Sequence, residues 1–388
     1  MPDQLLAVSA PGKSILIGEH AAVYGRPALV AAIDRRLRVT LEPSAGPPGV
    51  DLDLEHLGVR EHVAWSALEE YAATCCSRWR AFAGGDGASS DAVSSDAVSS
   101  DAVSFDAVRG DDPAHVVKVA LGEASSAAPR SGDGEAVRLR VESTLPIGAG
   151  FGSSAAAAVA LVRAVLALRD APATPERLHR LALEVERRQH GTPSGVDDST
   201  VIHGGVVWVE RRAGELAREL TVEPLDVARS PLLERLRVAD TGRPEQETGA
   251  VVAAVRTLRT RDPAAFDARL DTMAAATHAL RRQLVASRPD DAAALEALRT
   301  FQRCLEELGV VPPSVRALVR QVERAGGAAK ISGAGALAGS GAGSLLVYHP
   351  EAGALDRSGI LDRVELLDLR FGAPGVRVEA SPRRIHLP

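Results

Sequence analysis

The stretch Pro146-Ile-Gly-Ala-Gly-Phe-Gly-Ser-Ser-Ala155 constrains this chain more than any other. Before it, Ala136 to Glu142 alternates apolar and polar residues, as a half-buried strand does. After it, Ala155 to Leu168 is rich in Ala and Leu, the composition of a buried helix. Glycines at 148, 150 and 152 let the backbone turn tightly and approach a ligand closely. Ser153 and Ser154 open the helix, where free N–H groups and the positive dipole end favour an anion. Strand, loop and helix together read as a phosphate cradle. No Lys follows the last Gly, so the stretch is not a Walker loop, and G-x-G-x-G is not the dinucleotide-binding spacing. Taken alone, the same residues also suit a plain Gly-rich turn with a Ser N-cap.

A chain of 388 residues fits two domains with an ample core. Hydrophobic residues make up 45% and charged residues 25%, the balance of a globular protein. A net charge of −6 argues against a nucleic-acid surface. The basic residues are nearly all Arg; the lysines are Lys13, Lys118 and Lys330, two of them in Gly-containing motifs. A Lys retained in such a chain points to a need for a compact point charge. Cys75, Cys76 and Cys304 make neither a metal spacing nor an even framework, and read as reduced thiols of a cytoplasmic protein. No signal peptide is expected, because no basic segment followed by an apolar run opens the chain. Ala155 to Leu168 is broken by Arg163 and too short to span a bilayer.

Short strands are predicted at Leu5 to Ser9, Ser14 to Ile17, Ala28 to Ile33 and Leu37 to Leu41, with Ala10 to Lys13 as a turn. Trp65 to Phe82 has helical spacing. Residues 84–112 hold four copies of a Ser-, Asp-, Ala- and Val-containing pentamer, a period that fits no solenoid unit. That composition buries too little apolar surface to offset ordering, so a disordered insert is expected. Further helices are predicted over His115 to Ala128 and from an N-cap at Thr174, with Pro175 in the first turn, to His190. A turn-rich loop, Thr192 to Ser199, leads to a strand at Gly205 to Val209. Beyond a boundary near 225–235, strands are predicted at Leu236 to Asp240, Ala328 to Ser332, Ser344 to Tyr348, Glu365 to Leu369 and Val376 to Ala380. Helices are predicted from Thr248, Pro263, Asp290 and Ser314.

Three segments stand together: Ala10-Pro-Gly-Lys-Ser-Ile-Leu-Ile-Gly-Glu-His-Ala-Ala-Val-Tyr-Gly25, the cradle, and Lys330-Ile-Ser-Gly-Ala-Gly335. Their order and spacing resemble the GHMP small-molecule kinases. The Gly-Glu-His-x-x-Val-Tyr-Gly form, with His190-Gly-Thr-Pro-Ser-Gly-Val-Asp197, resembles the mevalonate kinase branch. The resemblance covers most of the chain, and these two segments are its most specific parts. It implies an α+β two-domain fold. Residues 1–228 would form a ribosomal S5 domain 2-like ATP-binding domain carrying the 84–112 insert. Residues 229–388 would form a ferredoxin-like domain, with ATP lying across the cradle at the junction.

The resemblance also implies roles. Pro146, Gly148, Ala149, Gly150, Phe151, Gly152, Ser153 and Ser154 match nucleotide-binding positions. Ser154 and Glu186 match a site for Mg²⁺, a hard ion that prefers oxygen. Asp197 matches the catalytic carboxylate, which would take the alcohol's proton during γ-phosphoryl transfer. Asp198 beside it is an alternative that the family pattern disfavours. Lys13 matches a lysine paired with that carboxylate. Lys13, Glu19, His20, Asp197, Thr248, Gly333 and Ala334 match positions on the substrate side. On residue chemistry alone, Glu186 is a solvated Glu beside Arg187 and Arg188, Asp197 a turn residue, His20 a structural histidine, and His190 a helix C-terminal cap.

The implied activity is ATP- and Mg²⁺-dependent phosphorylation of the primary alcohol of mevalonate, in isoprenoid synthesis. It would occur in the cytoplasm, without nucleic acid or membrane partners, in a chain that forms a homodimer by analogy alone. The nearest alternative is a sibling kinase for phosphomevalonate, homoserine or a sugar. A non-catalytic ligand sensor would show a broken constellation, whereas Lys13, Ser154, Glu186 and Asp197 are all present. A decarboxylase relative is disfavoured by Gly18-Glu19-His20. One departure concerns the third segment, where Ala336-Leu-Ala-Gly-Ser-Gly-Ala-Gly343 replaces a run of glycines. Alanine tolerates positive φ poorly, so a longer or differently shaped turn is expected.

Overall fold

The computed structural model describes residues 5–84, 111–129, 134–146, 150–191, 193–211, 220–227 and 230–379. The pentamers of the insert, the cradle residues Gly148 and Ala149, Thr192 and Ala380 lie outside these residues.

Strand β1 (Leu6–Ile17) runs through Ala10 to Lys13, where the sequence predicts a turn. The reason is a bulge: the register against the next strand shifts between Pro11 and Gly12, at the residue that lacks an N–H. A Cβ on Gly12 would lie 2.3 Å from Leu145 Cδ2 and 2.9 Å from the Phe151 carbonyl. The Pro-Gly pair therefore presses the strand against the cradle without ending it. Strand β2 (Ala28–Pro43) joins two predicted strands into one. There follow β3 (Gly49–Leu54), β4 (Val59–Val63), α1 (Trp65–Gly84), α2 (His115–Ala127), β5 (Ala136–Ser143), α3 (Ser153–Leu168) and α4 (Pro175–His190). Helix α5 (Val196–His203) then leads to β6 (Val206–Arg211) and β7 (Leu220–Leu225).

Helix α5 occupies part of the stretch predicted as a loop. Its short polar residues favour turns in isolation, but here their hydroxyls fold back onto the helix. Ser199 Oγ donates to the Gly195 carbonyl at 2.8 Å and Thr200 Oγ to that of Val196 at 2.9 Å. Val196, Val201 and Ile202 are buried, and that burial outweighs local preference.

The second half comprises α6 (Pro231–Arg235), β8 (Leu236–Asp240), α7 (Thr248–Arg261), α8 (Pro263–Val285), α9 (Asp291–Glu307), α10 (Pro313–Arg324), β9 (Ala328–Ser332), β10 (Ser344–Tyr348), α11 (Ala354–Ser358), β11 (Glu365–Leu367) and β12 (Arg377–Glu379). Two sheets result. The first runs β12-β1-β2-β5-β3-β4, with β6 on the other half of β2 and β7 beyond it. It is antiparallel except for β3 against β5. The second, β11-β8-β10-β9, is antiparallel throughout. This is the expected α+β architecture of two sheets. The C-terminal strand returns to the first sheet: β12 pairs with β1, Phe371 bridges Ile33 and Pro374 bridges Gly204. No helix among the described residues is long and apolar enough to cross a membrane.

Candidate active site

The described part of the cradle faces the second sheet: a Cβ on Gly150 would lie 3.7 Å from the Ser332 carbonyl. Gly150 (φ 81°) and Gly152 (φ 72°) adopt conformations that side chains rarely take, and Gly152 caps α3. A Cβ on Gly152 would lie 2.8 Å from Lys13 Cγ, so the bare glycine leaves a path for the lysine stem. Lys13 N–H donates to the Phe151 carbonyl at 2.9 Å, tying β1 to the cradle. Phe151 is buried beneath the loop. Helix α3 buries an alanine-rich surface in the core, which fixes Ser153 and Ser154 at its half-buried start.

Lys13 Nζ lies 3.0 Å from Asp197 Oδ2. The lysine is buried, whereas the aspartate side chain is 34% exposed, so its carboxylate faces the open side. Ser154 Oγ donates to Glu186 Oε1 at 2.5 Å. Helix α4 starts at the N-cap Thr174, whose hydroxyl accepts from Arg177 N–H, and ends at Gly191 (φ 77°). Its last two turns place Glu186 against the start of α3. Trp79 on α1 donates its indole N–H to the Gly191 carbonyl at 2.8 Å, which fixes the entry to the segment carrying Asp197. Nothing in the sequence singled out Trp79. His190 Nε2 stands 3.8 Å from Glu186 Oε2.

The first and third segments are stitched together. Ser14 and Ser332 hydroxyls lie 3.2 Å apart, and Ser332 Oγ donates to the Ile15 carbonyl at 2.9 Å. His20 Nε2 lies 2.9 Å from the Ala334 carbonyl. A carbonyl only accepts, so Nε2 carries the proton and Nδ1 is left as an acceptor. Burial holds the His20 pKa below its usual value, which keeps the ring neutral. Glu19 is enclosed with Lys330. Thr248 lies exposed at the first position of α7. The loop after Gly333 is wide, and its positive φ values fall on Gly335, Gly339 and Gly343, not on the alanines. Gln246 Oε1 accepts from Leu337 N–H at 3.0 Å and Ala338 N–H at 3.3 Å, and Ser314 Oγ donates to the Ser340 carbonyl at 2.7 Å.

Electrostatics separate the carboxylates. Burial, with Asp197 nearby, pushes Glu186 up to about 7, against the Ser154 hydrogen bond and Lys13. The Ser154 hydroxyl and the buried Glu186 carboxylate are hard oxygens, the ligand type that Mg²⁺ takes alongside phosphate and water. Asp198 is buried beside them, and its carboxyl makes no hydrogen bond among the described residues. Burial first, then Glu186 and Asp197, raises its pKa well above the ordinary value. A raised carboxyl is neutral in the fold and ionised in the unfolded chain, so it costs stability as pH rises above about 4. Asp198→Asn is expected to add about 1 kcal/mol at neutral pH, a Tm gain of about 1 °C for a chain of 388 residues, and to flatten that pH dependence. Thermal melts from pH 4 to 8, without nucleotide or divalent ion, check this; an equal or lower Tm at pH 7 contradicts it.

Comparison with known proteins places the chain in a family. Residues 115–205 match the family described as the GHMP kinases N terminal domain. A mevalonate kinase of Aeropyrum pernix is 32% identical over 84% of this chain and 85% of its own. One of Bos taurus is 30% identical over 98% and 96%. A crystal structure of L. major mevalonate kinase in complex with R-mevalonate superposes with a TM-score of 0.63 at 19% identity, covering 96% of this chain and 97% of that one. The fold is thus that of the GHMP kinases. Within them, the chain belongs to the mevalonate kinase family.

Proposed function

We propose that this protein transfers the γ-phosphoryl group of ATP to the primary alcohol of mevalonate. The observation that carries the reading is the 3.0 Å Lys13–Asp197 pair beside the Ser154–Glu186 pair, at the mouth of the cradle. Backbone N–H groups at the start of α3 bind the phosphates. Ser154 and Glu186 would hold Mg²⁺, which when bound neutralises phosphate charge. Asp197 accepts the hydroxyl proton on its exposed carboxylate, and Lys13 anchors that carboxylate in place. Neutral His20, fixed by Ala334, offers Nδ1 to a substrate hydroxyl. Residues 1–228 would carry the nucleotide and 229–388 the second domain. Free thiols at Cys75, Cys76 and Cys304 suit a reducing cytoplasm.

ADP release measured across mevalonate, phosphomevalonate, homoserine and galactose tests the substrate. Mevalonate is expected to lead in kcat/KM by about 100-fold or more, the scale reached when buried polar groups are matched to one substrate. Good turnover of another alcohol with no preference for mevalonate refutes the assignment.

A further inference from the structure

Lys330 takes no part in the reaction just described. Its side chain is 0% exposed and that of its partner Glu19 is 1%. The ammonium donates to Glu19 Oε1 and to the Ile331 carbonyl (2.7 Å), and it lies 5.6 Å from the centre of the Phe301 ring. Gln302, next to Phe301 on α9, accepts from Ile331 N–H at 3.1 Å. Burial pushes Glu19 up and Lys330 down, so each depends on the other for its charge. An apolar pair of the same volume is often as stable or more so, which makes such a pair weak evidence for stability. It needs another reason.

The reason lies one residue away. His20 has φ 57° and ψ −47°. Among the described residues, Asp170 is the one other non-glycine with positive φ. Strain of this kind persists only where surrounding structure over-determines it, and it clusters at functional sites. His20 is gripped from two sides: its ring by the Ala334 carbonyl, and its neighbour Glu19 by Lys330. Ala334 lies four residues beyond Lys330, so one segment supplies both grips. The serine contacts at 14 and 332 continue the same seam.

We infer that Lys330 is a positioning residue: through its buried pair with Glu19 it holds His20 in the strained conformation that presents the imidazole to the alcohol. Lys330 itself is enclosed and touches no substrate. The inference rests on the reading of this site as an alcohol kinase. The assay uses whichever alcohol the wild-type protein phosphorylates, so a wrong substrate and a wrong role for Lys330 fail separately.

The test is a double-mutant cycle on Glu19→Gln and Lys330→Met, with Tm and both KM values measured. Each single variant and the double are expected to raise the alcohol KM roughly tenfold while the ATP KM stays within about twofold. Because the two residues act as one unit, the double is no worse in KM than either single. Lys330→Met leaves a buried carboxylate without its partner and lowers Tm; the double variant recovers most of that loss. If Lys330→Met does not fold, Lys330→Gln takes its place in the cycle under the same criteria. The inference is overturned by a Lys330 variant with an unchanged alcohol KM, by effects that multiply to about 100-fold in the double, or by an ATP KM that rises in step.

Discussion

Asp197→Asn is expected to lower kcat by about 10²–10⁴ while nucleotide affinity stays near wild type. The amide keeps the shape of the carboxylate but takes no proton from the alcohol. It also loses the charge that Lys13 grips at 3.0 Å, so the lysine relaxes as well. In the proposed reading the nucleotide is held elsewhere, by the loop and helix start at 150–154 and by Glu186. Its binding therefore provides an internal control, titrated directly with a non-hydrolysable analogue. The neighbouring residue provides a second control. Asp198 is buried and makes no hydrogen bond among the described residues. Asp198→Asn should leave kcat within about threefold, the range of a substitution that preserves shape away from the reacting atoms. Near-normal kcat in Asp197→Asn removes it as the base. A collapse in Asp198→Asn would move the base one residue along the first turn of α5.

Local chemistry made parts of this site legible, whereas the roles expected of Lys13, Glu186 and Asp197 came from the family resemblance. Thr174-Pro175 announced α4 because an N-cap hydroxyl and a proline at the first turn act within a few residues. The glycines at 150 and 152 and the serines after them likewise carry their reason in their own stretch. Where the decisive contact is distant in sequence, the reading stopped. Pro11-Gly12 looks like a turn, yet Leu145 and Phe151 hold it in a strand. Strands β3 and β4 went unread for different reasons: β3 is largely buried but its parallel partner β5 lies far along the chain, and β4 has no buried residue and pairs with β3. The wide turn after Gly333 is closed by Gln246, more than 80 residues upstream, and no local signal marks that glutamine. Lys330 is an intermediate case. Its rarity in an Arg-rich chain flagged it, while its partner Glu19 had been matched to the substrate side. Both residues turn out to be enclosed together, which only the meeting of the two sheets could bring about.

Glu186→Gln should act on the metal as much as on the rate. Burial and Asp197 push the Glu186 carboxyl from an ordinary 4.5 up to about 7. If Glu186 holds Mg²⁺ as proposed, a proton on its carboxyl below that value competes with the metal. In the wild type, the Mg²⁺ concentration for half-maximal activity is therefore expected to rise as pH falls through about 7. Glutamine has no proton to lose. Its half-saturating Mg²⁺ should stand about 10–100-fold higher at pH 8, on the scale of losses measured around metal sites, and should no longer shift with pH. Stability moves the other way. A carboxyl raised in the fold costs stability as pH climbs from 4.5 towards 7, because the unfolded chain ionises first. The Gln variant is spared that cost, so it should melt higher than wild type at pH 8 without ligands while working worse. Lower activity joined to a higher Tm separates a lost metal contact from a damaged fold. Activity with unchanged Mg²⁺ dependence in the variant would place the metal on other oxygens and leave Glu186 as a partner of Ser154 alone.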